Sequence, residues 1–211
     1  MKKSILEKNK EYSEKFIQPM NNLYLSKKIK EIIDKENIQS IVDLGSGDGN
    51  FIRSVKKEYP QMRVVGVDIS PRRINGLKVK FPEDKFYIRD VCDTKLKETF
   101  DLVYSSQVIE HVSNDKKMIE EMFRLLKRKG ILYCSSVIKK PWAIYKYRNN
   151  GRFVLDPTHE REYKNEKDFL KLFKKKFKLI SYDINKTKRK KCGIKFRIPE
   201  FYEISGIWSK R

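Results

Sequence analysis

The chain has 211 residues, close to the ~100 to 200 of a typical domain, and 39% of them are hydrophobic, enough to build a core and to exclude an intrinsically disordered chain. No apolar run approaches the ~18 residues of a membrane span, and the start MKKSILEKNKEY has basic residues without an apolar segment behind them, so a cytoplasmic protein is expected. Forty-nine basic residues against 28 acidic ones leave a net charge of +21, and from Lys139 onward 22 basic against 8 acidic residues concentrate +14 in the last third. Such a field suits anionic partners, RNA among them, while a charged surface of compositional origin explains it equally. Cys92, Cys134 and Cys192 are odd in number and lack CxxC spacing, so they read as small apolar fillers rather than a disulfide framework or zinc site.

In chain order, residues 4 to 36 predict two helices, with Leu23, Leu25, Ile29, Ile32 and Ile33 marking an apolar face. From Ser40 short β-rich runs alternate with amphipathic stretches. Strands are predicted at 41–44, 63–68, 85–90, 100–105 and 131–137, with helices through 51–59, 72–80 and 115–127 between them. Strands alternating with helices imply right-handed βαβ units and a parallel sheet covered on both faces, hence an α/β fold. A stretch of about 25 residues follows Val137, longer than a connection needs. A helix near 166–177 comes next, then a strand at 178–184, a basic segment from Lys186 to Arg197 and a final strand near 203–208, the last two strands pairing antiparallel.

The most specific stretch is Val42-Asp43-Leu44-Gly45-Ser46-Gly47-Asp48-Gly49, between the first strand and a helix. Glycines there let a ligand approach bare backbone N–H groups at a helix N-terminus. The spacing is GxGxG rather than the dinucleotide GxGxxG, and the acids Asp43 and Asp48 suit a pyrophosphate poorly and a cationic ligand well. Asp68 ends the second strand 19 residues beyond Gly49, placed to accept ribose hydroxyls, and Asp90 ends the third, placed for an adenine edge. An NAD-binding protein is the competing reading.

Residues 41–137 resemble the class I S-adenosylmethionine-dependent methyltransferases: VDLGSGDGN, VVGVDIS, YIRDVCD, FDLVYSSQVIEHV and RLLKRKGILYCSS follow that family's motifs in order. The resemblance implies a Rossmann-like fold with a mostly parallel seven-stranded sheet, an antiparallel edge strand and helices on both faces. It implies one methyltransferase domain over 1–211, divided into a helical cap (1–37), a cofactor-binding core (38–137), a lid carrying acceptor specificity (138–164) and a C-terminal helix with edge strands (165–211). By resemblance Gly45, Ser46, Gly47 and Gly49, with Asp43, border the methionine part of S-adenosylmethionine. Asp68 and Ile69 hold the ribose, Asp90 and Val91 meet adenine, and Ser105 and Ser106 face the methionyl end.

The two histidines, His111 and His159, fall just past strand ends on the expected ligand edge and are the candidate bases near neutral pH, with Glu110 and Tyr163 beside them. In one reading the acceptor is a small molecule or glycan under a lid of Trp142, Tyr145, Tyr147, Phe153 and Tyr163. In the other, Glu110, His111 and His159 are similar to the metal-binding pattern of small-RNA 2′-O-methyltransferases, but Gln107 stands where that pattern has a further glutamate, so no bound metal is expected. A non-catalytic, cofactor-binding partner module is the third alternative. Motifs of adenine N-methyltransferases and cytosine C5 enzymes are missing: the fourth strand ends in SSQV, and there is no Pro-Cys pair.

Overall fold

The computed structural model describes residues 4–15, 25–139, 147–149, 151–187 and 201–211. Two helices come first, α1 (Ile5–Lys15) and α2 (Lys27–Lys35), the second capped by the Ser26 hydroxyl, which accepts from the Ile29 amide. The strands β1 (Ser40–Leu44), β2 (Arg63–Asp68), β3 (Lys85–Ile88), β4 (Phe100–Ser106) and β5 (Leu126–Lys139) alternate with α3 (Asn50–Glu58), α4 (Pro71–Lys80) and, before β5, α5 (Asp115–Leu125). A small hairpin, β6 (Tyr147–Asn149) and β7 (Arg152–Val154), precedes α6 (Glu166–Leu170), β8 (Phe177–Thr187) and β9 (Phe201–Lys210).

The seven-stranded sheet has the order β3-β2-β1-β4-β5-β9-β8. Strands β1 to β5 pair in parallel, and β9 pairs antiparallel with β5 on one side and β8 on the other. The antiparallel strand therefore sits one place in from the edge. All five residues of β1 are buried, as a strand covered on both faces requires, and alternate residues feed two cores. On one face Val42, Leu44, Val65, Val67 and Val103 pack with Met118, Met122 and Leu125 of α5 and with Phe169 of α6. On the other Ile41, Val64 and Leu102 pack with Ile29 and Ile33 of α2, Ile52 and Val55 of α3, and Ile74 and Leu77 of α4.

Two elements differ from the expectation. The helix expected over 166–177 stops at Leu170, after which the backbone bonds tighten from four-residue to three-residue closures, as in Leu172 N–H to Phe169 C=O and Phe173 N–H to Leu170 C=O. Phe169, Phe173 and Phe177 remain buried, the first two against Trp208, because burying the ring cluster outweighs continuing the helix into Lys174, Lys175 and Lys176. The fifth strand, expected over 131–137, begins at Leu126, where Leu126 pairs with Phe100 ahead of an irregularity that ends at the Leu102–Ile131 pair. Most of the basic segment 186–197 lies outside the described residues. Among the described residues no helix is long and apolar enough to cross a membrane.

Candidate active site

The C-terminal ends of β1, β2, β3 and β4 open onto a cavity of about 340 Å³, at the edge where open α/β sheets bind ligands. Its first wall is the glycine loop. Gly45 and Gly47 line it, with φ of 83° and 55° in the left-handed region, which a branched residue enters only at a cost. The Gly45 and Ser46 amides donate to the Val67 carbonyl at 2.7 and 3.0 Å, tying the loop to β2.

Asp68, at the end of β2, is buried and accepts from the Gly47 amide and the Ser70 amide, both at 2.9 Å. A carboxylate has about four lone-pair positions, so two bonds orient it and leave capacity for a ligand's hydroxyls. Ile69 follows it on the cavity wall, and Asp90 and Val91 continue the wall beyond β3, the Asp90 carboxylate held by the Cys92 amide at 2.8 Å. Ser106 also lines the cavity, its hydroxyl 2.8 Å from that of Ser135.

Other members of the expected cofactor set lie behind this wall. Asp43 is buried within β1, where burial and the nearby Asp68 push its carboxyl well above the usual carboxylate range. Ser105 is spent on the sheet, donating to the Leu44 carbonyl at 2.9 Å. Gly49 caps α3 at φ 80°, and a Cβ there would stand 2.2 Å from Leu77 Cδ2, so this glycine serves close packing of α3 on α4. Ser46 is buried beside the loop with a hydroxyl that has no hydrogen-bond partner among the described residues.

The opposite wall is made of side chains. Gln107 holds a left-handed φ of 58° after β4, its amide donating to the Ser135 carbonyl at 3.2 Å and its side chain reaching Ser135 and Glu203. His111 lines the cavity, its Nδ1 lying 3.0 Å from the Thr158 hydroxyl and 3.3 Å from the Thr158 carbonyl. Burial, then the neighbouring His159, push its pKa down to about 4. His159 stands behind it, ring centroids 4.7 Å apart, with Nδ1 2.7 Å from a Glu162 carboxylate oxygen.

Glu110 is fully buried, accepting from the Ser136 hydroxyl at 2.9 Å while its second oxygen has no hydrogen-bond partner among the described residues, and burial pushes its carboxyl up to about 7. Tyr163 faces the core instead of the cavity: its ring meets Phe169 at 5.2 Å, and burial pushes its hydroxyl far up. Thus His111 alone of the four expected catalytic residues reaches the cavity wall.

The segment expected to be a lid is, where described, partly a wall. Tyr163 bridges to Ile138 in parallel, the Lys139 amide donates to the Tyr163 carbonyl at 2.8 Å, and the Glu160 and Arg161 amides donate to the Glu110 carbonyl. Arg161 clamps the other side through the Ile109, Val112 and Ser113 carbonyls. Tyr147 and Phe153 are exposed on the hairpin, and Trp142 and Tyr145 lie outside the described residues.

Helix α1 closes the remaining side, which the sequence did not foretell. Asn9, Tyr12 and Ser13 line the cavity; the Asn9 amide donates to the His111 carbonyl at 2.7 Å, and the Tyr12 hydroxyl donates to Asp156 at 3.1 Å. Asp156 and Thr158, not singled out as site residues, are cavity residues from the Asp156-Pro157-Thr158 turn within the segment expected to be a lid. Glu110, His111 and His159 each bring one possible ligand atom to within 4.8 Å of one another.

Residues 42–134 match the model of the methyltransferase domain. That stretch, somewhat under half of the chain, is similar to that domain. Trans-aconitate 2-methyltransferase from Enterobacter sp. (strain 638) is 31% identical over 97 residues, 46% of this chain and 38% of that protein. The chain thus matches well under half the length of this curated relative.

The methyltransferase fold extends beyond the matched motifs. An S-adenosylmethionine-dependent methyltransferase from Clostridium acetobutylicum superposes with a TM-score of 0.61 at 17% identity, covering 86% of this chain and 88% of that one. The N-methyltransferase NodS from Bradyrhizobium japonicum, solved with S-adenosylhomocysteine, gives 0.59 at 12% identity over 86% and 83% of the two chains. Residues within 42–134 supply the glycine-loop side of the cavity, and segments outside them supply Asn9, Tyr12, Asp156 and Thr158.

Proposed function

We propose that this chain transfers the methyl group of S-adenosylmethionine to an oxygen or nitrogen of a small-molecule or glycan acceptor. The observation that carries this reading is the juxtaposition across one cavity of the Gly45–Gly47 loop, Asp68 and Asp90 on one wall with a neutral His111 on the other. The residues fit the cofactor: Gly45 and Gly47 leave the loop free of side chains, Asp68 is oriented with lone pairs to spare, and the buried Ser46 hydroxyl has a donor to offer. When bound, S-adenosylmethionine supplies an activated methyl group on a sulfonium. The protein's part is then alignment, which is worth ~7 to 11 kcal/mol of barrier.

The relative named as a trans-aconitate 2-methyltransferase supports a small acceptor, and Arg89 on the cavity wall suits one that carries negative charge. Calorimetry with S-adenosylhomocysteine and, separately, NAD is the first test, with binding of the former and not the latter expected. Methyl-labelled S-adenosylmethionine offered with panels of small carboxylic acids, phenols, amines and sugars should then yield a labelled product with at least one class. Tight NAD binding, or a chain that binds S-adenosylhomocysteine and methylates only RNA, would overturn the proposal.

A further inference from the structure

We propose that Thr158 and Asp156 are positioning residues that hold His111 in a single tautomer, with the proton on Nδ1 and the lone pair of Nε2 available to the acceptor. This rests on the methyltransferase reading and adds to it the orientation of the base. The Thr158 hydroxyl has one hydrogen, and it lies 2.5 Å from Asp156 Oδ1, with the Thr158 amide on the same oxygen at 2.8 Å. Burial works against a charged Asp156, yet the bonds from the Thr158 hydroxyl and amide hold its carboxyl below the usual carboxylate range. An ionised carboxylate only accepts, so the Thr158 hydrogen points at Asp156.

Toward His111 the Thr158 oxygen then has only lone pairs to present. The Thr158 carbonyl, also within 3.3 Å of Nδ1, is an acceptor as well. Two acceptors facing one ring nitrogen require an N–H there, so Nδ1 carries the proton and Nε2 does not. Tyr12 completes the relay from α1, donating to the other Asp156 oxygen at 3.1 Å. The charged and titratable groups around the ring are Asp156 and His159 from the post-β5 segment, Glu110 from the turn after β4, Arg73 from α4 and Tyr12 from α1.

The arrangement balances charge through the transfer. A neutral imidazole does not repel the sulfonium cation. As the acceptor oxygen's lone pair forms the O–CH3 bond, the S–CH3 pair returns to sulfur and the acceptor's O–H proton passes to Nε2. One positive charge is thereby lost at sulfur and one gained on the imidazolium, whose Nδ1–H already points through Thr158 toward the Asp156 carboxylate. An amine acceptor releases its proton by the same path.

The chain has only two histidines, so ¹⁵N-labelled imidazoles can be read directly, with His159→Gln assigning the pair. The whole chain, with S-adenosylhomocysteine bound, should show His111 with a pyrrole-type Nδ1 and a pyridine-type Nε2. Thr158→Val should admit the second tautomer, Thr158→Ser should retain the first, and S-adenosylhomocysteine affinity should stay within a few-fold in both. With the acceptor found by the transfer assay, kcat of Thr158→Val should fall ~10²-fold with a smaller change in KM, and Thr158→Ser should recover most of it. A wild-type His111 protonated on Nε2, an unchanged tautomer in Thr158→Val, or a stoichiometric Zn²⁺ that shifts the Nε2 signal would each overturn the proposal. Loss of S-adenosylhomocysteine binding by the wild type would instead sink the methyltransferase reading itself.

Discussion

From Gly45 to Val91 the cavity is walled mainly by backbone and strand-end carboxylates, whereas from Gln107 to Thr158 it is walled by side chains that hold one another. The first wall is continuous in sequence: each recognition group ends a strand or opens a helix, so its place follows from the order of elements. The second joins α1, the turn after β4 and the segment after β5 through Asn9–His111, Tyr12–Asp156 and Thr158–His111 contacts. A wall of the first kind tolerates drift in distant sequence but not a change of backbone conformation. One of the second kind loses its chemistry when a single partner is removed, even though the fold persists.

The largest effect expected is on the backbone wall. Gly47→Val, at φ 55°, puts a branched side chain where neither its conformation nor the ligand leaves room, and should abolish measurable S-adenosylhomocysteine binding by calorimetry while circular dichroism shows a folded chain. Normal binding by this variant would remove the loop from the site. On the side-chain wall His111→Ala should lower kcat ~10²-fold and leave S-adenosylhomocysteine affinity nearly intact. His159→Ala, one ring further from the cavity, should act more weakly; the reverse ranking would exchange their roles.

Asp68→Ala should weaken S-adenosylhomocysteine about tenfold or more, because unpaired ribose hydroxyls cost ~1 to 3 kcal/mol and the Gly47 amide loses its acceptor. Unchanged affinity would take Asp68 out of the site. A pH-dependent effect on stability rather than on binding belongs to Glu110. Its folded pKa of about 7 lies above the ordinary 4.5, so between these values the native state keeps a proton that the unfolded chain has released. Stability should therefore fall as pH rises through that window, by up to ~3 kcal/mol for a shift of this size. Glu110→Gln should flatten this component, visible as a Tm advantage over wild type at pH 8 that disappears near pH 4. The smallest functional effect is expected of Gly49→Ala, which strains φ 80° and crowds Leu77: Tm should drop, while the folded fraction binds S-adenosylhomocysteine normally.

The βαβ order, the strand positions to within a few residues and the glycine loop with its two strand-end acids were legible in the amino-acid sequence, because each is governed by neighbours. Buried parallel strands need apolar runs, a turn that meets a ligand needs glycine, and a strand end projects its last side chain at the ligand edge. Local chemistry could not distinguish Gly47, which faces the cavity, from Gly49, which packs on Leu77, since both are left-handed glycines in one loop. Nor could it separate His111 on the wall from His159 behind it, or show that Tyr163 points into the core. Tertiary structure alone decided that α1 closes the cavity and that Tyr12, Asp156 and Thr158 converge on His111, because those contacts join residues up to 144 positions apart. No periodicity or spacing encodes such pairs; they arise when burial of the two cores brings the sheet's ligand edge, α1 and the segment after β5 together.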